Sequence, residues 1–147
     1  MATSKTAKRL IWHGVFLFLL GLLSGFVIPA LTNPRLALSA HMEALLNGMF
    51  LILLGGIIWN ELKLSDRMTT LAFWLFLYAG YGSWFACFLA AVFGASKMLP
   101  IASAGYDAAA AWQEMLVRIG LSLVALSITF ACCLVLYGLR KGTAQDA

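Results

Sequence analysis

The chain has 147 residues, of which 63% are apolar and only 11% charged, against about 45–50% and about 25% for a soluble domain. A soluble domain of this length could not cover so much apolar surface, so the composition excludes that class and indicates a single integral membrane domain over residues 1–147. The net charge of +4 does not indicate nucleic acid, because the basic residues sit in short loops and at the termini.

Residues 1–9 are polar and basic, with Lys5, Lys8 and Arg9. Ile11 to Leu31 is an apolar run long enough to span a hydrocarbon core. A signal peptide is the competing reading. The run is too long for a typical signal core, and no clear small-x-small cleavage site follows it. Pro29 and the Thr32-Asn33-Pro34 turn end the segment. A short link over Arg35 to Ala40 leads to a second helix, His41 to Trp59. Asn60 to Arg67 forms a charged loop. The third helix runs from Met68 to Gly94 or Ala95, long enough to imply tilt or an end emerging from the bilayer. Lys97 to Trp112 is the longest connection, and the fourth helix spans Gln113 to Leu139.

The fold class is therefore all-α, an integral membrane four-helix bundle. Lys5, Lys8, Arg9, Lys63, Arg67, Arg140 and Lys141 fall on one side and Arg35 and Lys97 on the other, with Arg118, in the first turns of the fourth helix, left uncounted. The excess of basic residues places both termini in the cytoplasm. Close backbone approach at small residues is the usual reason for such apolar helices to associate. The third helix offers two small ridges, Gly82, Ala86, Ala90 and Gly94 beside Ala79, Ser83, Cys87, Ala91 and Ala95. The first helix offers Gly21 and Gly25. These surfaces suit packing within one chain or between copies, so a homo-oligomer is expected. Cys87, Cys132 and Cys133 lie inside apolar segments without metal-site spacing and read as small packing residues.

Polar side chains at membrane depth are costly and mark candidate sites. Ala40-His41-Met42-Glu43-Ala44-Leu45-Leu46-Asn47-Gly48 places an imidazole, a carboxylate and a carboxamide within two turns. His13, near the cytoplasmic end of the first helix, is expected a full span of roughly 30 Å from His41. The two histidines then cannot ligate one metal within a protomer, which argues against a bis-histidine electron carrier. His41 is a candidate single axial ligand with an open face opposite; the bland alternative is an interfacial histidine hydrogen-bonded to a carbonyl. Glu43 and Asn47 share a helix face, and Asn47 lies about 9 Å and about 120° from His41. One helix would thus hold a cofactor on one flank and present Asn47 to another pocket. Asn47 as an interhelical hydrogen bond and Glu43 as a solvated surface group are the plain alternatives. Glu114 and Arg118 form an i, i+4 pair, read either as an ion pair or with Arg118 as an anion anchor, for instance for a propionate. Tyr78, Tyr81 and Trp84 recur at spacing three and are either core or a pocket wall. No serine–histidine–aspartate order, Walker loop, HExxH or CxxC motif is present.

Several segments together resemble the bacterial hydroxylaminobenzene mutases over nearly all of residues 10–140. They are His13-Gly14, Phe26-Val27-Ile28-Pro29-Ala30-Leu31, Asn33-Pro34-Arg35, Leu38-Ser39-Ala40-His41, Leu46-Asn47-Gly48-Met49-Phe50-Leu51-Ile52-Leu53-Leu54-Gly55 and Ala111-Trp112-Gln113-Glu114. The chain is also distantly similar to styrene oxide isomerase, a four-helix membrane enzyme with haem b between the subunits of a trimer. The shared feature is a histidine followed by Leu-Asn-Gly-Met. The resemblance implies haem b on His41 and Asn47 facing substrate. It departs on the third helix, where the isomerase's aspartate and tyrosine correspond to Ala79 and Cys87. Tyr78, Tyr81, Ser83 or Trp84 would serve a different substrate. The implied reaction is redox-neutral, hydroxylaminobenzene to 2-aminophenol by intramolecular hydroxyl transfer, in the bacterial inner membrane. The alternative from another class is a non-enzymatic haem-bearing anchor or a small transporter subunit.

Overall fold

A computed structural model describes the backbone of residues 4–145 and the side chains of residues 4–140; Lys141, counted above for orientation, lies outside the described side chains. The chain forms α1 (Lys5–Val27), α2 (Pro34–Leu53), α3 (Asp66–Phe93), a one-turn α4 (Pro100–Ser103) and α5 (Ala111–Gln145). Among the described residues every element is helical. Four segments are long and apolar enough to cross a membrane, Lys5–Ala30, Pro34–Glu61, Asp66–Phe93 and Ala111–Arg140. The protein is thus a multi-pass membrane protein, as its composition requires.

Two helices start earlier than expected. Ser4 caps α1 by accepting from the Ala7 amide, so Lys5, Lys8 and Arg9 are helical. The Arg9 guanidinium lies 4.7 Å from the Phe73 ring centroid, which lets a cation sit against the bundle end. In α2, Asn33 is the N-cap and Pro34 the first helical residue. The presumed link over Arg35 to Ala40 is therefore helix, and His41 lies two turns inside α2 rather than at its mouth. After Leu53 the helix widens into one π turn, Leu54–Ile58, and closes in a 3-10 turn, Trp59–Glu61. α3 matches the expected span closely. Ser65 caps its start, and Gly94 ends it in the left-handed conformation at φ 71°. Gly94 thus serves as a helix stop rather than as the last step of a small ridge.

The spanning helices pack in sequence, α1 on α2, α2 on α3 and α3 on α5, with a lighter contact between α1 and α3 and little or none between α1 and α5. The expected bundle is therefore open between its first and last helices. The closest approach is between α1 and α2. A Cβ added to Gly14 would lie 2.7 Å from the Gly48 carbonyl oxygen, and one added to Gly48 would lie 2.8 Å from that of Gly14. Two turns away, a Cβ on Gly55 would meet the Ala7 carbonyl at 2.7 Å. Small residues, Ala7, Gly14 and Gly21 at spacing seven against Gly55, Gly48 and Ala44, let the antiparallel backbones touch. On α3, Gly80 and Ser83 face α2, whereas Gly82 and Ala86 face Val124 and Gly120 of α5. Ser127 ties α5 to α3 through the Leu75 carbonyl at 3.1 Å.

The two ends are closed by polar side chains that satisfy backbone groups. At one end the Ser4 amide donates to Asn60 Oδ1, and the Lys63 amide to the Gly138 carbonyl. At the other end, buried Asn33 accepts from the Arg35 and Leu36 amides and donates to the Ser103 carbonyl. Glu114, 5% exposed, accepts from the Ser96 amide at 2.8 Å and the Lys97 amide at 3.2 Å. Its carboxylate caps the turn after α3, and among the described residues it makes no ion pair with Arg118. The long connection of residues 97–112 is therefore an ordered cap.

Replacing Gly14 by Ala drives a methyl into backbone atoms that cannot yield, at a cost of about 1–3 kcal/mol. Gly56→Ala, where an added Cβ meets nothing within 4 Å, is the control. Thermal unfolding in detergent should show a clear fall for the first and almost none for the second. Glu114→Ala strands two backbone donors and should cost about 1–3 kcal/mol in the same measurement. Glu114→Gln, which keeps one acceptor oxygen, should be milder.

Candidate functional site

His41 projects from α2 towards the Gly21–Gly25 turn of α1. Its Nδ1 stands 2.7 Å from the Gly21 carbonyl oxygen. A carbonyl only accepts, so Nδ1 carries a proton, and in the neutral ring Nε2 is the nitrogen with the lone pair. Gly25 provides the room, since a Cβ there would sit 3.1 Å from Nδ1 and 3.2 Å from the adjoining ring carbon. The bland reading of a histidine bonded to a carbonyl thus holds for one nitrogen, and it prepares the other. An imidazole whose Nδ1–H is fixed by a carbonyl has the orientation and tautomer of a metal ligand.

His13 lies elsewhere, though nearer than the expected full span. It precedes Gly21 by eight residues on α1, about 12 Å of helical rise. The expected separation was too large because both helices begin earlier than the apolar runs suggested. The distance still excludes one metal between the two rings. His13 is also engaged, with Nδ1 3.1 Å from the Tyr81 hydroxyl, which in turn lies 3.3 Å from the His13 carbonyl. Among the described residues no group of three or more histidine, cysteine, aspartate or glutamate side chains could hold a metal.

Asn47 occupies the other flank of α2, against α3. Its Nδ2 donates to Glu43 Oε2 at 3.1 Å, and the Ser83 hydroxyl donates to the same oxygen at 2.6 Å. Gly80 keeps α3 close, with its added Cβ 3.8 Å from that of Asn47. Glu43 is therefore the acceptor that joins α2 to α3 rather than a solvated surface group. Its partnership with Ser83 escaped sequence reading. The available signals were the shared face of Glu43 and Asn47 and the place of Ser83 on a small ridge.

The aromatic stripe of α3 does not form one wall beside Asn47. Tyr81 turns to His13 and α1. Tyr78, 45% exposed, lines an open groove of about 510 Å³ with Leu75, Leu123 and Leu126 of the α3–α5 side. Trp84 lies against Phe85 and Phe88, and its Nε1 is buried without a hydrogen-bond partner among the described residues. Arg118 is exposed on α5 and lines a cavity of about 440 Å³ with Lys97, Met98, Glu114 and Met115. Because α5 packs on α3 whereas His41 faces α1, one protomer does not bring Arg118 to His41. Cys87, Cys132 and Cys133 are free thiols.

Comparison with known proteins agrees with the resemblance read from the sequence. The chain is 44% identical over 140 residues to hydroxylaminobenzene mutase HabB of Ectopseudomonas oleovorans, covering 95% of this chain and 84% of that protein. It is 41% identical over 91 residues to hydroxylaminobenzene mutase HabA of the same organism, covering 61% of this chain and 67% of that protein. No solved structure matches significantly. A family model described as styrene oxide isomerase matches residues 6–140, nearly the entire span of the four crossing helices, and the chain belongs to that family.

Proposed function

We propose that this protein is a membrane isomerase that converts hydroxylaminobenzene to 2-aminophenol by intramolecular hydroxyl transfer. The observation that carries the reading is its likeness to two proteins named for that reaction, one over 95% of the chain and the other over 61%. An apolar aromatic substrate dissolves in the bilayer, which suits a site between spanning helices.

The residues present fit haem b on His41, through the free Nε2 that the Gly21 carbonyl leaves exposed on the ring. When bound there, the iron would supply a Lewis acid for a substrate oxygen. The protein's own contribution is positional. Gly21 and Gly25 hold the His41 ring. Asn47, tied to Glu43, offers its amide to the hydroxylamine. Apolar walls keep bulk water from competing at the para carbon of the ring. The faces of aromatic side chains stabilise positive charge developing on the substrate. Tyr78 and Tyr81 are candidates for that role, although they face different neighbours within one protomer.

A homo-oligomer, with a trimer favoured by the family resemblance, accounts for what one chain leaves apart. His41 and Asn47 occupy opposite flanks of α2, and Arg118 stands beyond α3. Arg118 would meet a propionate of haem on His41 only across an interface between copies. Both termini are assigned to the cytoplasm of a bacterial inner membrane, from the basic residues that the fold gathers at one end.

Purified protein supplied with hydroxylaminobenzene should yield 2-aminophenol without added reductant or oxygen. Its absorption spectrum should carry a Soret band that His41→Ala removes together with activity. A colourless wild-type protein that still makes 2-aminophenol would discard the haem and keep the mutase, whereas full activity in His41→Ala would discard the ligand role. Gly25→Val, which presses a side chain onto the His41 ring, should weaken haem retention about 10–100-fold, read by loss of the Soret band on dilution.

A further inference from the structure

We propose that Glu43, held by Ser83, positions the Asn47 amide so that this flank of α2 presents hydrogen-bond acceptors and thereby selects substrates bearing N–H and O–H groups. The inference rests on the mutase reading and adds a specificity device to it. One oxygen of Glu43, Oε2, takes both short contacts, from the Ser83 hydroxyl and from Asn47 Nδ2. A carboxylate oxygen accepts, so the nitrogen of the Asn47 amide must face it and the carbonyl oxygen must face away. Two oxygens then remain, Oε1 of Glu43 and Oδ1 of Asn47, each one carbon removed from the shared contact. Neither has a hydrogen bond to a described residue. Neither is sealed in, because Trp84 Nε1 is the buried side-chain nitrogen or oxygen lacking a partner among the described residues.

Two acceptors on hydrogen-bonded neighbouring groups suit a hydroxylamine, which carries donors on adjacent nitrogen and oxygen atoms. They oppose a ligand whose oxygen only accepts, such as an aryl epoxide, because lone pairs would face lone pairs. Leaving the site's acceptors unpaired is what makes such rejection effective. Ser83 matters because it comes from α3. It holds the carboxylate against the neighbouring helix and so prevents Glu43 and Asn47 from turning together on their flexible side chains. Glu43 and Ser83 are on this view positioning residues acting through Asn47.

The variant that tests this is Glu43→Gln. Its amide oxygen can replace Oε2 and keep both internal hydrogen bonds, while its NH2 replaces the outward Oε1 by a donor. With purified full-length protein, KM for hydroxylaminobenzene should rise about 10-fold, with kcat changed less. The inhibition constant of styrene oxide as a competitor should fall by a similar factor, with the melting temperature unchanged. Ser83→Ala, which loosens the carboxylate without changing its charge, should move both constants in the same directions but less. A Glu43 with a merely structural role would leave their ratio unchanged in Glu43→Gln, and that result overturns the inference while the mutase reading stands. Absence of 2-aminophenol from the wild-type protein would remove both.

Discussion

Helices in a bilayer gain little from hiding apolar side chains from one another, since lipid offers the same environment. Contact between backbones has to supply the attraction instead, and in this protein it does so along the seam between α1 and α2. Gly14 and Gly48 face each other so closely that neither tolerates a Cβ. The same seam continues to Gly21 and Gly25, where it receives the His41 ring. The device that joins the first two helices therefore also sets the tautomer of the imidazole. A wider seam would move the Gly21 carbonyl out of reach of Nδ1 and release the ring.

The opposite flank of α2 uses a different principle. There Glu43 bridges to Ser83 and Asn47, and a carboxylate at membrane depth is tolerated because it accepts hydrogen bonds from both helices. α2 is thus the organising element of the chain. One face carries a fixed imidazole, the opposite flank a fixed carboxamide, and the buried face between them carries Ala44 and Leu51.

Much of this was legible in the sequence, for reasons that differ by level. The four spans follow from the length of the apolar runs, because every backbone polar group in lipid must be satisfied within its own helix. α3 was delimited closely because Ser65 and Gly94 are strong local signals. α1 and α2 were drawn too short because hydropathy marks the hydrocarbon core, whereas helices continue past it wherever a cap such as Ser4 or Asn33 allows. That error misplaced His13 and His41 relative to one another. Glu114 was paired with Arg118 because i, i+4 spacing is visible along a chain, while amides of a distant turn, at Ser96 and Lys97, are not.

The sequence by itself determined the number of spans, the membrane class, the family, and the single stretch that holds His41, Glu43 and Asn47. These depend on composition, local spacing and motif, all of which are properties of a segment. Only the tertiary structure decided that Gly14 opposes Gly48, that the Gly21 carbonyl accepts a hydrogen bond from His41 Nδ1, and that Ser83 meets Glu43. Each of these is a contact between residues twenty or more positions apart. Which carbonyl or hydroxyl stands within 3 Å of a side chain depends on how one helix is rotated and shifted against its neighbour, and no periodicity within either helix specifies that register.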